Sequence, residues 1–443
     1  MKEKILELIA NNQFQELKGY IDKLNSADVS EIIDECPIED GALILRLLEK
    51  DEAAEVFSRM ESDTQEKIIN VLKDGELKDL MSNLFVDDMV DMISEMPAVM
   101  VKRILSNVDT NTRGYINELL KYPKDSAGSI MTIEFVDLRL GMTVGQAFDR
   151  IRKVGEDKET IYTCYVIDNQ RYLEGVVTVK DLLLNDQDVL IDELMESSVV
   201  KINTLDDQEI VAQAFDKYDF LAMPVVDKEN RLVGIITIDD ALDVMAQETS
   251  EDFELMSAIQ PSEESYLKMS AWEHSKHRIV WLLFLMLSAT ITGTIITKYE
   301  NAFAAVPILV SFVPMLMDTG GNCGSQTSTL IIRGLATNDL QLSDVFKCWF
   351  KEIQVSLICG VILGIVNGIR IAIQYHNVVL AVVVAISLLA TVIISKSLGC
   401  LLPMAAKKLN LDPAIMASPL ITTIVDTCSI LIYFNVAVVL MHI

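Results

Sequence analysis

Between residues 279 and 441 the chain passes through five apolar segments, near 279–297, 302–334, 353–373, 378–406 and 414–441. The hydrocarbon core of a bilayer is about 30 Å thick and takes roughly 20 residues of helix to cross. Each segment reaches that length, the second only when the polar stretch inside it is counted. With no water in the core to satisfy the backbone, such segments must be helices, so residues 271–443 are expected to form a five-helix transmembrane domain. Basic residues orient it. Lys276 and Arg278, then Arg333, Lys347 and Lys351, then Lys407 and Lys408 mark one side, whereas the other has Lys298 and Arg370. Positive flanks stay on the cytosolic side. Residues 1–270 are therefore expected in the cytosol and the C-terminus outside, in a multi-pass protein of the plasma or inner membrane.

The cytosolic part has the opposite character. Of the 37 Lys+Arg and 65 Asp+Glu in the chain, residues 1–270 hold 27 and 57, a charge near −30, and the rest is near +2. A surface so negative repels polyanions and excludes a nucleic-acid partner; cations are its natural ligands, with an acidic coat for solubility as the plain alternative. The seven cysteines are scattered and never spaced as CxxC, so neither a disulfide framework nor a zinc site is indicated. The N-terminal MKEKILELIANNQFQEL is amphipathic and charged, unlike a signal peptide. Neither a phosphate-binding GxxxxGKS/T loop nor HExxH occurs, and no enzyme is expected. His274 and His277, in HSKH, read as an interfacial basic patch.

Two different repeats organise the cytosolic part. From residue 29 to about 108 a short helical pattern returns every twelve residues, as in VSEIIDEC at 29, AAEVFSRM at 53 and MVDMISEM at 89. Two turns of helix cannot bury an apolar stripe alone, so neighbours must stack. Residues 1–124 are expected to be an acidic all-α helical-repeat domain. Beyond it, CYVIDNQRYLEGVVTVKDLL from Cys164 aligns with MPVVDKENRLVGIITIDDAL from Met223, matching Gly175 with Gly234, Thr178 with Thr237 and Asp181 with Asp240, with eight extra residues around VGEDKET in the first copy. Strand, turn, strand ending in GxxTxxD, then helix, given twice, resembles an α/β tandem pair of cystathionine-β-synthase (CBS) domains, a regulatory module, over residues 125–246. No Gly or Pro follows until Pro261, so residues 247–270 are expected to carry a long connecting helix.

Asp426 carries the membrane chemistry. A carboxylate at that depth costs about 2.5–3.5 kcal/mol and must face a cavity, a partner or an ion path. Thr422 and Ser418 lie one and two turns before it on the same face, and all three offer only oxygen. Oxygen donors suit hard cations, and Mg²⁺ keeps most of its waters while one or two carboxylates hold it. A hydrogen bond from Asp426 to a neighbouring helix is the alternative. In PMLMDTGGNCGSQTSTLIIRG, from Pro314, the glycines allow close backbone approach while Asn322, Gln326, Thr327 and Thr329 can bond helices or the water shell of an ion. Asp87 with Asp91, and Glu248 with Glu251 and Asp252, share helix faces.

GGNCGSQTSTLIIRGLA, DPAIMASPLITTIVDTCSILIYF from Asp412, the CBS pair and the acidic helical domain, in this order, resemble the MgtE family of magnesium channels over essentially the whole chain. The resemblance implies a homodimer in the lipid bilayer whose pore lies between subunits, lined by the second and fifth helices, with Asp426 holding hydrated Mg²⁺ and Asp412 near the cytosolic entrance. It also implies a gate closed by cytosolic Mg²⁺ between acidic faces: Glu55, Asp87 and Asp91 in the helical domain, Glu209, Asp216, Asp219, Asp240 and Asp243 in the CBS pair, and Glu248, Glu251 and Asp252 on the connecting helix. A CBS-regulated transporter of another divalent ion, such as Co²⁺, Ni²⁺ or Mn²⁺, and a membrane-anchored sensor or enzyme whose helices only anchor it are the other readings. GxxTxxD could also contact the ribose of an adenine nucleotide through Thr237 and Asp240, and both ligands stay open at Asp240.

Overall fold

A computed structural model describes residues 1–262, 266–267, 269–300, 304 and 306–442, with Ser418 described by its backbone alone. The chain divides into two compact units, Met1–Met245 and Ala246–Ile443.

The first unit opens with ten short helices, from α1 (Lys2–Ala10) to α10 (Thr110–Leu119), including α5 (Lys50–Ser58) and α8 (Val86–Glu95). Their sequence explains their shape. In α8 the apolar side chains Val86, Met89, Val90 and Ile93 are buried at helical spacing, and side-chain caps begin two of the helices, Asn25 accepting the Ala27 amide at the third and Asp109 those of Asn111 and Thr112 at α10. From the third helix to the eighth, each one packs on the helix two places further along, which is how the twelve-residue period buries its stripes.

Two three-stranded sheets follow, β1 (Asp137–Arg139), β2 (Thr163–Ile167) and β3 (Leu173–Thr178), then β4 (Ile202–Asn203), β5 (Ala222–Val226) and β6 (Leu232–Thr237). In each, the first strand runs parallel to the second and the second antiparallel to the third. The internal duplication is thus a duplication of topology. Helices α11 (Val144–Val154), α12 (Val179–Leu184), α13 (Ile191–Leu194) and α14 (Gln208–Tyr218) cover the sheets. Tyr165, Ile167 and Leu173 of the first repeat share a core with Ala222, Leu232 and Ile235 of the second. The core of the helical domain continues into the second repeat through Ile202, Phe215 and Ile236.

Helix α15 spans Ile238–Met256, so the expected connecting helix stops well short of residue 270. Ala258 turns into the left-handed region at φ 55°, and the Ile259 amide bonds back to Glu254 O at 2.9 Å. That wrap closes the helix end before Pro261 arrives.

Long helices dominate the second unit: α16 (Ala271–Lys298), α17 (Val313–Ala336), α18 (Val345–Tyr375), α19 (Val378–Lys408) and α20 (Ser418–Met441). Among the described residues, four stretches are long and apolar enough to cross a membrane: Ala271–Lys298, Leu342–Tyr375, Val378–Lys408 and Pro413–Met441. Helix α17 has the length, at 24 residues, but its polar run keeps it out of that set, and part of the expected approach to it, 301–303 and 305, lies outside the described residues. Helix α17 packs against α19 and α20. Glycine makes this possible: a Cβ at Gly320 would fall within 3 Å of Val425, Thr391 and Ser429, and one at Gly324 within 3 Å of Ile421 and Ser395. Polar ties add to the seam. Ser395 Oγ donates to Gly320 O, Ser328 Oγ to Met416 O at 3.0 Å and Lys407 Nζ to Leu335 O at 3.0 Å.

Candidate functional site

The first unit gathers carboxylates from four separate places. Helix α8 contributes Asp87, Asp88 and Asp91, the first turns of α15 contribute Asp239, Asp240 and Asp243, the segment before β1 contributes Glu134, and the extra residues after α11 contribute Glu159; electrostatically they act on one another as a single group. Local bonds hold them there. Thr237 Oγ1 donates to Asp240 Oδ2 at 2.6 Å at the start of α15, Thr132 Oγ1 donates to Glu134 Oε2 at 2.8 Å, and the Glu159 amide donates to Glu134 O at 2.9 Å. Arg59 is the positive charge that acts on Asp88 and Asp243.

Desolvation, then repulsion by the neighbouring acids, raises Asp87, Asp88, Asp91, Glu159, Asp240 and Asp243. Asp88 and Asp240 are pushed up to about 6, Asp91 to about 7 and Glu159 to about 8; Asp87 lies well above the ordinary carboxylate range. Asp91 keeps its outer surface in solvent, but the surrounding protein and Asp240 dominate its environment. Asp87 is 9% exposed, and its Oδ1, like Glu159 Oε2, is buried with no hydrogen-bond donor among the described residues. Such a group calls for a cation or a proton. Among the described residues no three Asp, Glu, His or Cys side chains converge as a ready metal cage.

Of the acids singled out from sequence, Asp87, Asp91, Asp240 and Asp243 meet in this cleft. Glu55 lies beside it, accepting Ser26 Oγ at 2.6 Å and pairing with Arg59 at 3.8 Å. Glu209, Asp216 and Asp219 belong to α14 and its cap, where Glu209 accepts Gln213 Nε2 at 3.0 Å and Asp219 turns left-handed at φ 55°. Glu248, Glu251 and Asp252 lie on the part of α15 that belongs to the second unit. Asp88, Asp239, Glu134 and Glu159 were not singled out. The DD pairs at 87 and 239 and the acidic extra residues were the available signals; Glu134 had none.

In the second unit Asp426 is half-buried on α20, with Asp318 of α17 as its charged neighbour. Thr422, one turn earlier, packs its methyl where a Cβ at Gly321 would stand and donates its hydroxyl to Pro419 O at 2.9 Å. Asn322 and Gln326 are exposed on α17. The Ser418 side chain lies outside the described residues. Asp412 accepts the Ala414 amide at 2.7 Å and so caps the turn that leads into α20.

Sequence comparison decides the family. The MgtE model, described as a divalent cation transporter, matches residues 313–436; the MgtE intracellular N domain matches residues 24–125; and the CBS domain matches 127–187 and 191–247. A magnesium transporter MgtE of Thermus thermophilus is 35% identical over 450 residues, covering 100% of both chains. The chain belongs to the MgtE family. A Bacillus subtilis MgtE magnesium transporter is 32% identical, covering 99% of this chain and 97% of its own. Among solved structures, the cytosolic domain of the Mg²⁺ channel MgtE in complex with ATP matches with a TM-score of 0.52 and 35% identity over 55% of this chain and 100% of that one. The soluble part of a magnesium transporter matches with a TM-score of 0.53 and 31% identity over 56% of this chain and 97% of that one. Family and apolar helices together make this MgtE chain a membrane protein.

Proposed function

We propose that the chain is a Mg²⁺ channel or transporter, not an enzyme, that admits Mg²⁺ to the cell and is closed by cytosolic Mg²⁺. The observation that carries the gate is the cleft in which Asp87 and Asp91 of α8 face Asp240 and Asp243 of α15. Two like charges about 4 Å apart repel by roughly 1 kcal/mol in water and about 4 kcal/mol at an effective dielectric of 20. Low Mg²⁺ leaves that repulsion unopposed and favours the open form, whereas high Mg²⁺ binds the facing acids and favours the closed one. Glu55, Glu209, Asp216, Asp219, Glu248, Glu251 and Asp252 are the further regulatory candidates. The MgtE relatives named above support Mg²⁺ as the substrate.

In the membrane unit the proposed path runs along α17 and α20 of two protomers related as a homodimer, with Asp426 and Thr422 at the ion, Asn322, Gln326 and Ser418 lining the path, and Asp412 near the cytosolic mouth. Five spans, with α17 as the second, put residues 1–270 in the cytosol and the C-terminus outside. The membrane potential supplies the drive: about 2.3 kcal/mol per charge per 100 mV, hence roughly 4.6 kcal/mol for a divalent ion. An adenine nucleotide at Thr237 and Asp240 is in keeping with the ATP complex of the related cytosolic domain.

Uptake of ²⁸Mg²⁺ into liposomes tests the path: Asp426→Ala is expected to abolish it and Asp426→Asn to reduce it at least tenfold, and retention of wild-type flux by both would refute the assignment. Cytosolic Mg²⁺ is expected to slow proteolysis of the first unit; cleavage that ignores Mg²⁺ would refute the gate. Uptake of Co²⁺, Ni²⁺ or Mn²⁺ exceeding that of Mg²⁺ would favour a transporter of another divalent ion.

A further inference from the structure

Two opposite charges stand inside the membrane unit, away from both helix ends. Glu352 is the eighth residue of α18 and Lys396 the nineteenth of α19. Their side chains are only 15% and 8% exposed, and Lys396 Nζ lies 3.6 Å from Glu352 Oε2. A lysine so enclosed cannot reach the interface, so its charge is neutralised where it stands.

The pair closes on a third helix. Thr327 of α17, fully buried, accepts Lys396 Nζ at 3.1 Å and donates its hydroxyl to Glu352 Oε2 at 2.8 Å. One α17 side chain is thereby fixed by two charged groups on two different helices. The ties of α17 described above, through Gly320 O, Ser328 and Leu335 O, hold it by one neutral oxygen each or by one lysine at its end.

Thr327 directly follows Gln326, and successive helical residues point about 100° apart. Fixing Thr327 inward therefore fixes Gln326, and Asn322 one turn before it, outward, while Cys323, on the buried side, faces the protein. An apolar replacement of a buried ion pair commonly packs with equal stability; what it cannot do is bond Thr327 from two directions.

We infer that the Lys396–Glu352 pair is a positioning element that sets the rotation of α17 about its own axis and so aims Asn322 and Gln326 at the ion path. The inference rests on the path assignment under Proposed function. Neither Lys396 nor Glu352 touches the ion; both act through Thr327.

The test uses the full chain reconstituted in liposomes, labelled with a water-borne thiosulfonate reagent. One background keeps Cys323 alone among the native cysteines, and a second, free of native cysteines, carries Gln326→Cys. Thr327→Val cuts the tie with little change in volume and leaves the ion pair; Lys396→Met with Glu352→Met removes both charges together, so that neither is stranded. With either change, labelling of Cys323 is expected to rise at least tenfold, labelling through Gln326→Cys to fall, and Mg²⁺ uptake to drop at least tenfold with a shifted half-saturation, while the melting temperature of Thr327→Val stays near the parent's. Lys396→Arg, which keeps a cationic donor, is expected to retain most of the parent's labelling pattern. Labelling and uptake unchanged within twofold in both Thr327→Val and the double variant would overturn the inference. Silence at Gln326→Cys in the otherwise unaltered chain, with Cys323 still released by Thr327→Val, would overturn the path assignment and leave the positioning role standing.

Discussion

Among the described residues no donor reaches one carboxylate oxygen of Asp87, and its charge is opposed by Asp240, Asp88, Glu159 and Glu134. Replacing it by Asn removes the charge and keeps the shape. Asp87→Asn is expected to raise the melting temperature of the chain without divalent ions and to shrink the further rise that Mg²⁺ gives, as read by thermal unfolding across a Mg²⁺ titration. The cluster also fixes a pH dependence. Its folded-state pKa values are raised, to about 6 for Asp88 and Asp240 and about 8 for Glu159, against roughly 4 in an unfolded chain. Between about pH 4 and 8 the folded unit therefore binds more protons than the unfolded one, and stability falls as pH rises through that window. Saturating Mg²⁺ is expected to flatten the slope, and melting curves between pH 5 and 8 with and without Mg²⁺ check it. Asp87 and Asp91 were legible in sequence because they share a helix face. Glu134 and Glu159 were not, because each reaches the cleft from an irregular segment where spacing predicts no direction.

Elements pack here by what glycine leaves out. A Cβ at Gly399 would meet the carbonyl of Gly324, backbone that cannot swing away, and Thr327. Gly399→Ala is expected to cost about 1–3 kcal/mol, lowering the melting temperature in detergent. Gly293, with nothing within 4 Å of its absent Cβ, is the control: Gly293→Ala should lose no stability. The strand repeats were readable because GxxTxxD recurs with its flanking apolar runs, and Thr178 and Thr237 both prove to be tied to the acid three residues on. The four long apolar helices were readable from apolar runs long enough to cross a bilayer. The end of α15 was not: the left-handed turn at Ala258 follows from the wrap of the chain on itself, and alanine gives no warning of it.

For the whole molecule, an acidic front, residues 1–270 near −30, and a nearly neutral back, residues 271–443 near +2, share one chain. Composition showed that split, but not which carboxylates the fold would crowd together or that Lys396 would find Glu352, since both depend on contacts between residues far apart in sequence. The polar run of α17 bears on biogenesis. A translocon tests each segment as it leaves the ribosome and favours apolar ones; α17 falls short of the apolarity that four other stretches reach, and the helices on which it packs, α19 and α20, are synthesised after it. Its entry into the lipid must then wait for them. A chain ending at Tyr375 is expected to leave residues 313–336 open to protease at the membrane surface, whereas the complete chain protects them, so a truncation downstream would undo a helix made earlier.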